Sequence, residues 1–259
     1  MTFILSAVLG FAVSNLISVT YVSVFYHRGL SHRALELSPA LRWWVLRTGF
    51  WVTGVDPKGW TALHRMHHRH SDTELDPHHP EHATNPIRIA LATMFAYLDF
   101  MRKMHAGDAH LNRVAADVPW GMPPGLLLKI WYMPAVLWVA VAAAIGLTTG
   151  LWGLSLGFLL GLDFIFKTWV ANGLGHSRGY RNYDTPDTST NNRWAVWLIG
   201  GENLHNNHHR YPSRANFAHK AGELDPGYAI CRVFHAAGLI RLKNPPAKAV
   251  QEAGSVAAK

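Results

Sequence analysis

The sequence predicts an all-α integral membrane protein: about three transmembrane helices, interfacial helices beside them, and a cytosolic histidine-rich helical cap. Three observations predict it. Hydrophobic residues make up 49% of the 259 and charged ones only 15%, against about a quarter in a soluble domain. Three apolar runs reach the length of about 20 residues that a bilayer core requires. The 17 histidines are concentrated between and after those runs, in numbers that packing does not explain. The whole chain, 1–259, reads as one domain.

The first span is residues 3–25, an uncharged run. A secretory signal fits it poorly, because no basic segment leads into it and a histidine follows at once. Residues 27–124 are polar and histidine-rich. Within them Pro39 to Trp51 mixes Arg42 and Arg47 with aromatic residues, the pattern of a helix lying in the interface with its arginines reaching the headgroups. Gly54 to Gly59 reads as a turn, and a helix carrying His64 to His70 follows. Asp72 to Pro86, rich in Asp, His and Pro, is loop. Residues 87–105 are apolar but contain Arg88, Asp99, Arg102 and Lys103, which suits an interfacial helix. Residues 126–147 and 151–171 form a transmembrane hairpin, the first kinked at Pro134. In the last span Asp163 and Lys167 stand one turn apart, acid first, the spacing of an ion pair. Residues 172–245 are again polar, and 246–259 form a flexible tail.

Charge sets the expected orientation. Residues 27–124 and residues 173–259 each hold 11 of the 24 Lys and Arg, while the turn at 148–150 holds none. Positive charge is retained on the cytoplasmic side, so both histidine-rich segments face the cytoplasm and the N-terminus lies outside. The net charge of +8 is dispersed, with no compact basic run or stacking module, which excludes nucleic acid as a partner and fits membrane lipids with anionic headgroups. The lone Cys231 excludes an internal disulfide and a thiolate metal cluster.

The histidines carry the chemistry. His64, His67 and His68 form H-x-x-H-H, and His205, His208 and His209 repeat it. At i, i+3 and i+4 each trio shares one helix face. His27 and His32 close the first span. Eight imidazoles exceed the four ligands of a zinc site and imply two metals with several nitrogen ligands each. No His-x-x-Glu-His hydrolase motif is present, nor the Glu-x-x-His repeats of a carboxylate-bridged di-iron bundle. A redox-active metal at the membrane surface can activate O2 against a C–H bond, and the adjacent bilayer nominates a lipid chain.

These residues resemble the membrane-bound fatty acid desaturases, of the acyl-CoA and bacterial acyl-lipid delta-9 type. His27-Arg28-Gly29-Leu30-Ser31-His32, His64-Arg65-Met66-His67-His68 and His205-Asn206-Asn207-His208-His209 resemble the family's three boxes. Ser71 to His78 resembles the stretch after the second box, and Asn172-Gly173-Leu174-Gly175-His176 its N-x-x-x-H. The similarity runs from about His27 to Leu242. It implies two iron ions held by His27, His32, His64, His67, His68, His176, His205, His208 and His209, with Asn172 bound through water. It also implies O2 as co-substrate, ferredoxin or cytochrome b5 as external electron donor, and a fatty acyl substrate on CoA, acyl-carrier protein or a glycerolipid, held in a bent apolar tunnel. The chain departs from the family in having room for one span before His27, where two are usual. It also has Asn203 and Leu204 where glycine and an aromatic residue are frequent.

Other residues stay open. His78 follows Asp76-Pro77 and is either a substrate contact or a loop histidine, whereas His70, His79 and His82 read as solvated. Arg210, Arg214 and Lys220 are candidates for a substrate phosphate or an acidic donor, or express the cytoplasmic charge bias alone. Two alternative functions stand beside desaturation: a related di-iron lipid hydroxylase, ketolase or decarboxylase, and a non-catalytic metal-binding membrane protein.

Overall fold

Small residues in register bring the first and last spans together. Helix α1 (Thr2–Val19) carries Ser6, Gly10, Ser14 and Ser18 at intervals of four, and α8 (Trp152–Leu162) carries Gly153, Gly157 and Gly161. Residues four apart share a face, and such stripes let lipid-embedded backbones approach closely. A Cβ on Gly10 would fall on the Leu154 carbonyl, one on Gly157 on the Ala7 carbonyl, and one on Gly161 on the Ser14 hydroxyl. Leu5, Leu9, Val13, Leu16 and Ile17 of α1 remain exposed, the face available to lipid. The computed structural model describes residues 2–78 and 85–243. The expected tail 246–259, His79 and His82 lie outside these residues.

The first span does not end at residue 25. Helix α1 passes without a break into a π-helix, π1 (Thr20–Ser31), giving one apolar helix from Thr2 to Ser31. The π1 half is buried: Val24, Phe25, Tyr26 and Leu30 pack with Val45 and Leu46 of α2 (Pro39–Thr53), Cys231 and Ile240. The span therefore ends inside the histidine-rich cap.

A short strand β1 (Leu35–Leu37) precedes α2. Ser38 accepts the Leu41 N–H at the start of α2, and Gly54, at φ 81°, ends it. Trp43 and Trp44 are exposed on α2 and Arg47 stacks over Trp43 at 5.4 Å. Helix α3 (Pro57–His70) starts on Asp56, whose carboxylate accepts the Lys58 N–H at 2.9 Å. Helix α4 (Pro86–His105) exposes Ile87, Leu91 and Phe95 and buries Tyr97, Leu98 and Met101. It is amphipathic and is not among the helices long and apolar enough to cross a membrane. Helix α5 (Ala109–Val114) follows.

The expected span 126–147 is a bent pair. Helix α6 (Pro124–Ile130) meets α7 (Met133–Thr149) at 52°, with Pro134 in the first turn of α7, where its missing N–H costs nothing. Among the described residues two helices, Thr2–Ser31 and Trp152–His176, are long and apolar enough to cross a membrane, or three if this pair is one span.

The last span also departs from expectation, because it is interrupted. Helix α8 stops at Leu162, and α9 (Ile165–Thr168), a second π-helix π2 (Trp169–Gly173) and a 3-10 turn (Leu174–His176) follow. The Asp163 carboxylate accepts the N–H groups of Ile165 and Phe166, at 3.3 and 2.9 Å, and so starts a new helix. Lys167 turns elsewhere, donating to Ser18 Oγ at 3.0 Å and the Gly161 carbonyl at 2.6 Å. The expected Asp163–Lys167 pair gives way to these bonds because the helix end leaves carbonyls without intrahelical donors. The chain closes with α10 (Val196–Ile199), α11 (His205–Arg210), α12 (Pro226–Ala236) and β2 (Ile240–Leu242). Strand β2 pairs antiparallel with β1, the one sheet in an otherwise helical molecule among the described residues.

Candidate metal centre

The π-helix explains the spacing of the first histidine pair. Its hydrogen bonds run i to i+5, so His27 and His32 stack on one side, which an α-helix would not allow. On α3 and α11 the i, i+3, i+4 spacing aligns His64, His67 and His68, and His205, His208 and His209. His176 ends the last span at the 3-10 turn. All nine converge, in two groups whose ligand atoms lie within 4.8 Å of one another: His27, His32, His64, His68 and His208, and His67, His176, His205 and His209. The boxes are shared between groups. His67 parts from His64 and His68, and His208 parts from its neighbours. The two groups adjoin, with the His68 and His209 rings 4.4 Å apart.

Four carboxylates fix the rings from behind. His27 Nδ1 lies 2.7 Å from Glu202, His67 Nδ1 2.8 Å from Asp76, His176 Nδ1 3.0 Å from Asp72, and His209 Nδ1 2.8 Å from Asp187. An acceptor on Nδ1 sets the tautomer and leaves Nε2 free to ligate. Arg28, fully buried, ties Glu202 in place: Nη1 reaches it at 3.1 Å, Nη2 reaches Asp225 at 2.9 Å, and the guanidinium lies 3.8 Å from the Phe217 ring centroid. Asp72 takes a left-handed backbone, φ 63°, and its other oxygen accepts the Thr188 N–H at 2.6 Å. Burial opposes ionisation of Asp72, but His176 and Thr188 outweigh it and hold the carboxyl down at about 2. Burial likewise opposes ionisation of Glu202, and His27, Arg28 and Ser23 overcome it.

The donor set suits metal ions. Burial, then the neighbouring imidazoles, holds His64, His68, His205, His208 and His209 well below the usual histidine range, so they are neutral, as ligation requires. The Nε2 atoms turn toward each other: His27 and His208 at 3.0 Å, His32 and His64 at 2.7 Å, His176 and His205 at 3.0 Å. Nε2 of His67 and of His209 are buried with no hydrogen-bond partner among the described residues. A cation at each group's centre would satisfy them all.

Asn172 lies half-buried on π2, four residues before His176, and no hydrogen bond to its side chain occurs among the described residues. His78 is no solvated loop histidine. It is buried, its ring 5.0 Å from that of His67, with Nδ1 3.0 Å from Thr93 Oγ1. Burial pushes it down to about 3. Arg210 and Arg214 flank the Tyr211 ring at 5.5 and 4.9 Å, and Lys220 is exposed beyond them. Sequence reasoning missed Glu202, Asp187 and Arg28 as supports of the centre. Arg28 and Glu202 stand beside the boxes, which was a usable signal. Asp187 sits in a polar loop with none.

Membrane helices that end in two adjoining, buried histidine clusters define the class of this protein: a helical membrane protein with a paired polyhistidine centre. The chain belongs to the fatty acid desaturase family, whose model matches residues 3–222, and is an oxidoreductase of that family. It is 27% identical over 231 residues to an acyl-CoA C20 delta-5 desaturase of Anemone leveillei, covering 88% of this chain and 70% of the relative. It is 26% identical to the sn-1 stearoyl-lipid 9-desaturase of Anabaena variabilis, covering 84% and 76%. Delta-9 acyl-lipid desaturase 2 of Arabidopsis thaliana is 28% identical, with 88% and 71% covered.

Proposed function

We propose that the chain is an O2-dependent di-iron desaturase that introduces a double bond into a fatty acyl chain at a delta-9-like position. The observation that carries this reading is the two-cluster arrangement of nine imidazoles at the ends of membrane spans, four of them backed by carboxylates. Histidine nitrogen suits iron. Iron bound there would supply O2 activation and removal of two hydrogens from adjacent methylenes, with electrons from ferredoxin or cytochrome b5. In this reading His27, His32, His64, His68 and His208 hold one ion, and His67, His176, His205 and His209 the other, with Asn172 contributing through a water.

The protein's own part is orientation and exclusion of water. Glu202, Asp76, Asp72 and Asp187 keep Nδ1 engaged, so each Nε2 lone pair faces the centre. Burial of His27, His67, His176, His205 and His208 keeps bulk water from an oxidant strong enough to attack a methylene. A cleft of about 350 Å3 between Arg33, Arg42, Asp117 and Lys243 contains none of the nine histidines and is lined by charges, so it is not the acyl site of this reading.

Expression with a ferredoxin and its reductase in a host unable to make unsaturated fatty acids tests the proposal. Monounsaturated acyl chains located by mass spectrometry are the expected product. Hydroxy, keto or shortened alkene products would replace desaturation with one of the related reactions. Active protein with fewer than two irons per chain would overturn the di-iron assignment.

A further inference from the structure

The segment before the third histidine box lies against the membrane spans. Ala195 and Ile199 pack with Val170 and Leu174 at the end of the last span. From α1, the Asn15 amide donates to the Trp197 carbonyl at 2.9 Å. Asn15 stands 12 residues beyond Phe3, about 18 Å along a helix rising 1.5 Å per residue, within a hydrocarbon layer about 30 Å thick. A stretch expected in the cytoplasm therefore sits beside the first span, at the level where Leu16 and Ile17 of α1 face outward.

Its outer side is aromatic. Trp194 is 60% exposed and Trp197 74%, while Arg193, also exposed, stacks over the Tyr180 ring at 5.3 Å. Trp197 on the short helix α10 and Trp194 just before it, held open beside the membrane spans, continue the lipid-facing surface of α1. Indole, apolar with one N–H, partitions to the level between acyl chains and headgroups. The chain then turns at Gly200 and Gly201, φ 62° and 92°, where a Cβ on Gly200 would strike Val19. The next residue is Glu202, which holds His27.

We propose that Arg193–Ile199 is a membrane-interface anchor whose partner is the phospholipid bilayer itself. Trp194 and Trp197 insert among the acyl chains beside α1, Arg193 meets the phosphates, and the anchor sets where the third box begins. A nitroxide at Trp197→Cys tests this in vesicles of phosphatidylcholine and phosphatidylglycerol, since Cys231 is buried and does not compete for the label. Collisions with O2 and with a water-soluble nickel chelate are compared with those of labels at Leu9→Cys on the lipid face and Arg178→Cys on an exposed loop. The label at 197 is expected to follow the one at 9, favouring O2. If it follows the one at 178, the anchor is refuted; if the label at 9 also favours nickel, the membrane frame falls with it. A second measurement needs no label: the fluorescence removed by Trp194→Phe with Trp197→Phe should be quenched by brominated lipid, and unquenched emission would overturn the proposal.

Discussion

Glu202 shows how much one side chain can decide. Its carboxylate lies 2.7 Å from His27 Nδ1 and 3.1 Å from Arg28 Nη1, and it also accepts from Ser23. Loss of such an acceptor behind a ligating histidine weakens metal binding by about 10- to 100-fold. Glu202→Gln should lower affinity by that factor at the five-histidine group and spare the four-histidine one, and Asp76→Asn should do the reverse. Iron retained per chain during chelator competition measures both, and equal losses in both groups would show that the clusters are not separate sites. The depressed imidazoles yield a pH prediction as well. His64, His68, His205, His208 and His209 stay neutral in the folded chain, whereas the unfolded chain binds protons below about pH 6.5. Their contribution to stability is thus complete above that pH and is lost as pH falls through it. The melting midpoint of metal-free protein in detergent should drop between about pH 7.5 and about pH 5.5; a constant midpoint would contradict the buried, neutral state.

Among the elements, the α1–α8 pair positions the centre, because α1 leads into the π-helix bearing His27 and the chain after α8 leads to His176. Gly157→Leu would drive a side chain into the Ala7 carbonyl, and overpacking of this kind costs about 1–3 kcal/mol or more. The variant should run as a broadened, metal-poor species on size exclusion, whereas Leu160→Ala, at an exposed position, should behave as the parent. The spans themselves were legible, since length and apolarity suffice to mark them. Their internal geometry was not. A uniformly apolar run has no periodicity to separate a π-helix from an α-helix, and the i, i+5 spacing of His27 and His32 was the only trace of π1. Asp163 and Lys167 suit an i, i+4 pair on paper, but a carboxylate can also start a helix, and here Asp163 does. Six of the nine histidines could be picked out by the repeated H-x-x-H-H spacing and His27 and His32 by their place at the end of the first span, while His176 came only with the family resemblance. How they divide could not be read, because His67 and His208 cross between groups only when α3 and α11 are packed face to face. Asp187 lies far from any box in sequence, so its contact with His209 is visible only in the fold.

At the scale of the molecule, we propose from the charge pattern that the histidine-rich segments face the cytoplasm. The turn joining α7 to α8, Thr148 to Gly150, carries no charge, while the segments on either side of the three-span frame hold nearly all the Lys and Arg. Moving a lysine or arginine across the bilayer centre costs about 2.5–3.5 kcal/mol on insertion scales, so inverting the frame would mean translocating two strongly basic segments. One span followed by a hairpin returns the chain to its starting side after His27, which lets the three boxes meet in one compartment, as the geometry of the nine histidines demands. The segment Arg193–Ile199 fits the same frame, since an anchor that dips beside α1 and returns leaves the third box on the side of the first two. Fusions read this out directly. A green fluorescent protein joined after Lys243 should fluoresce, and an alkaline phosphatase inserted at Gly150 should be active, because each works only on its own side of the inner membrane. The reverse pattern, a dark fusion at 243 with an inactive phosphatase at 150, would place the histidine centre outside, beyond the reach of a cytoplasmic electron donor.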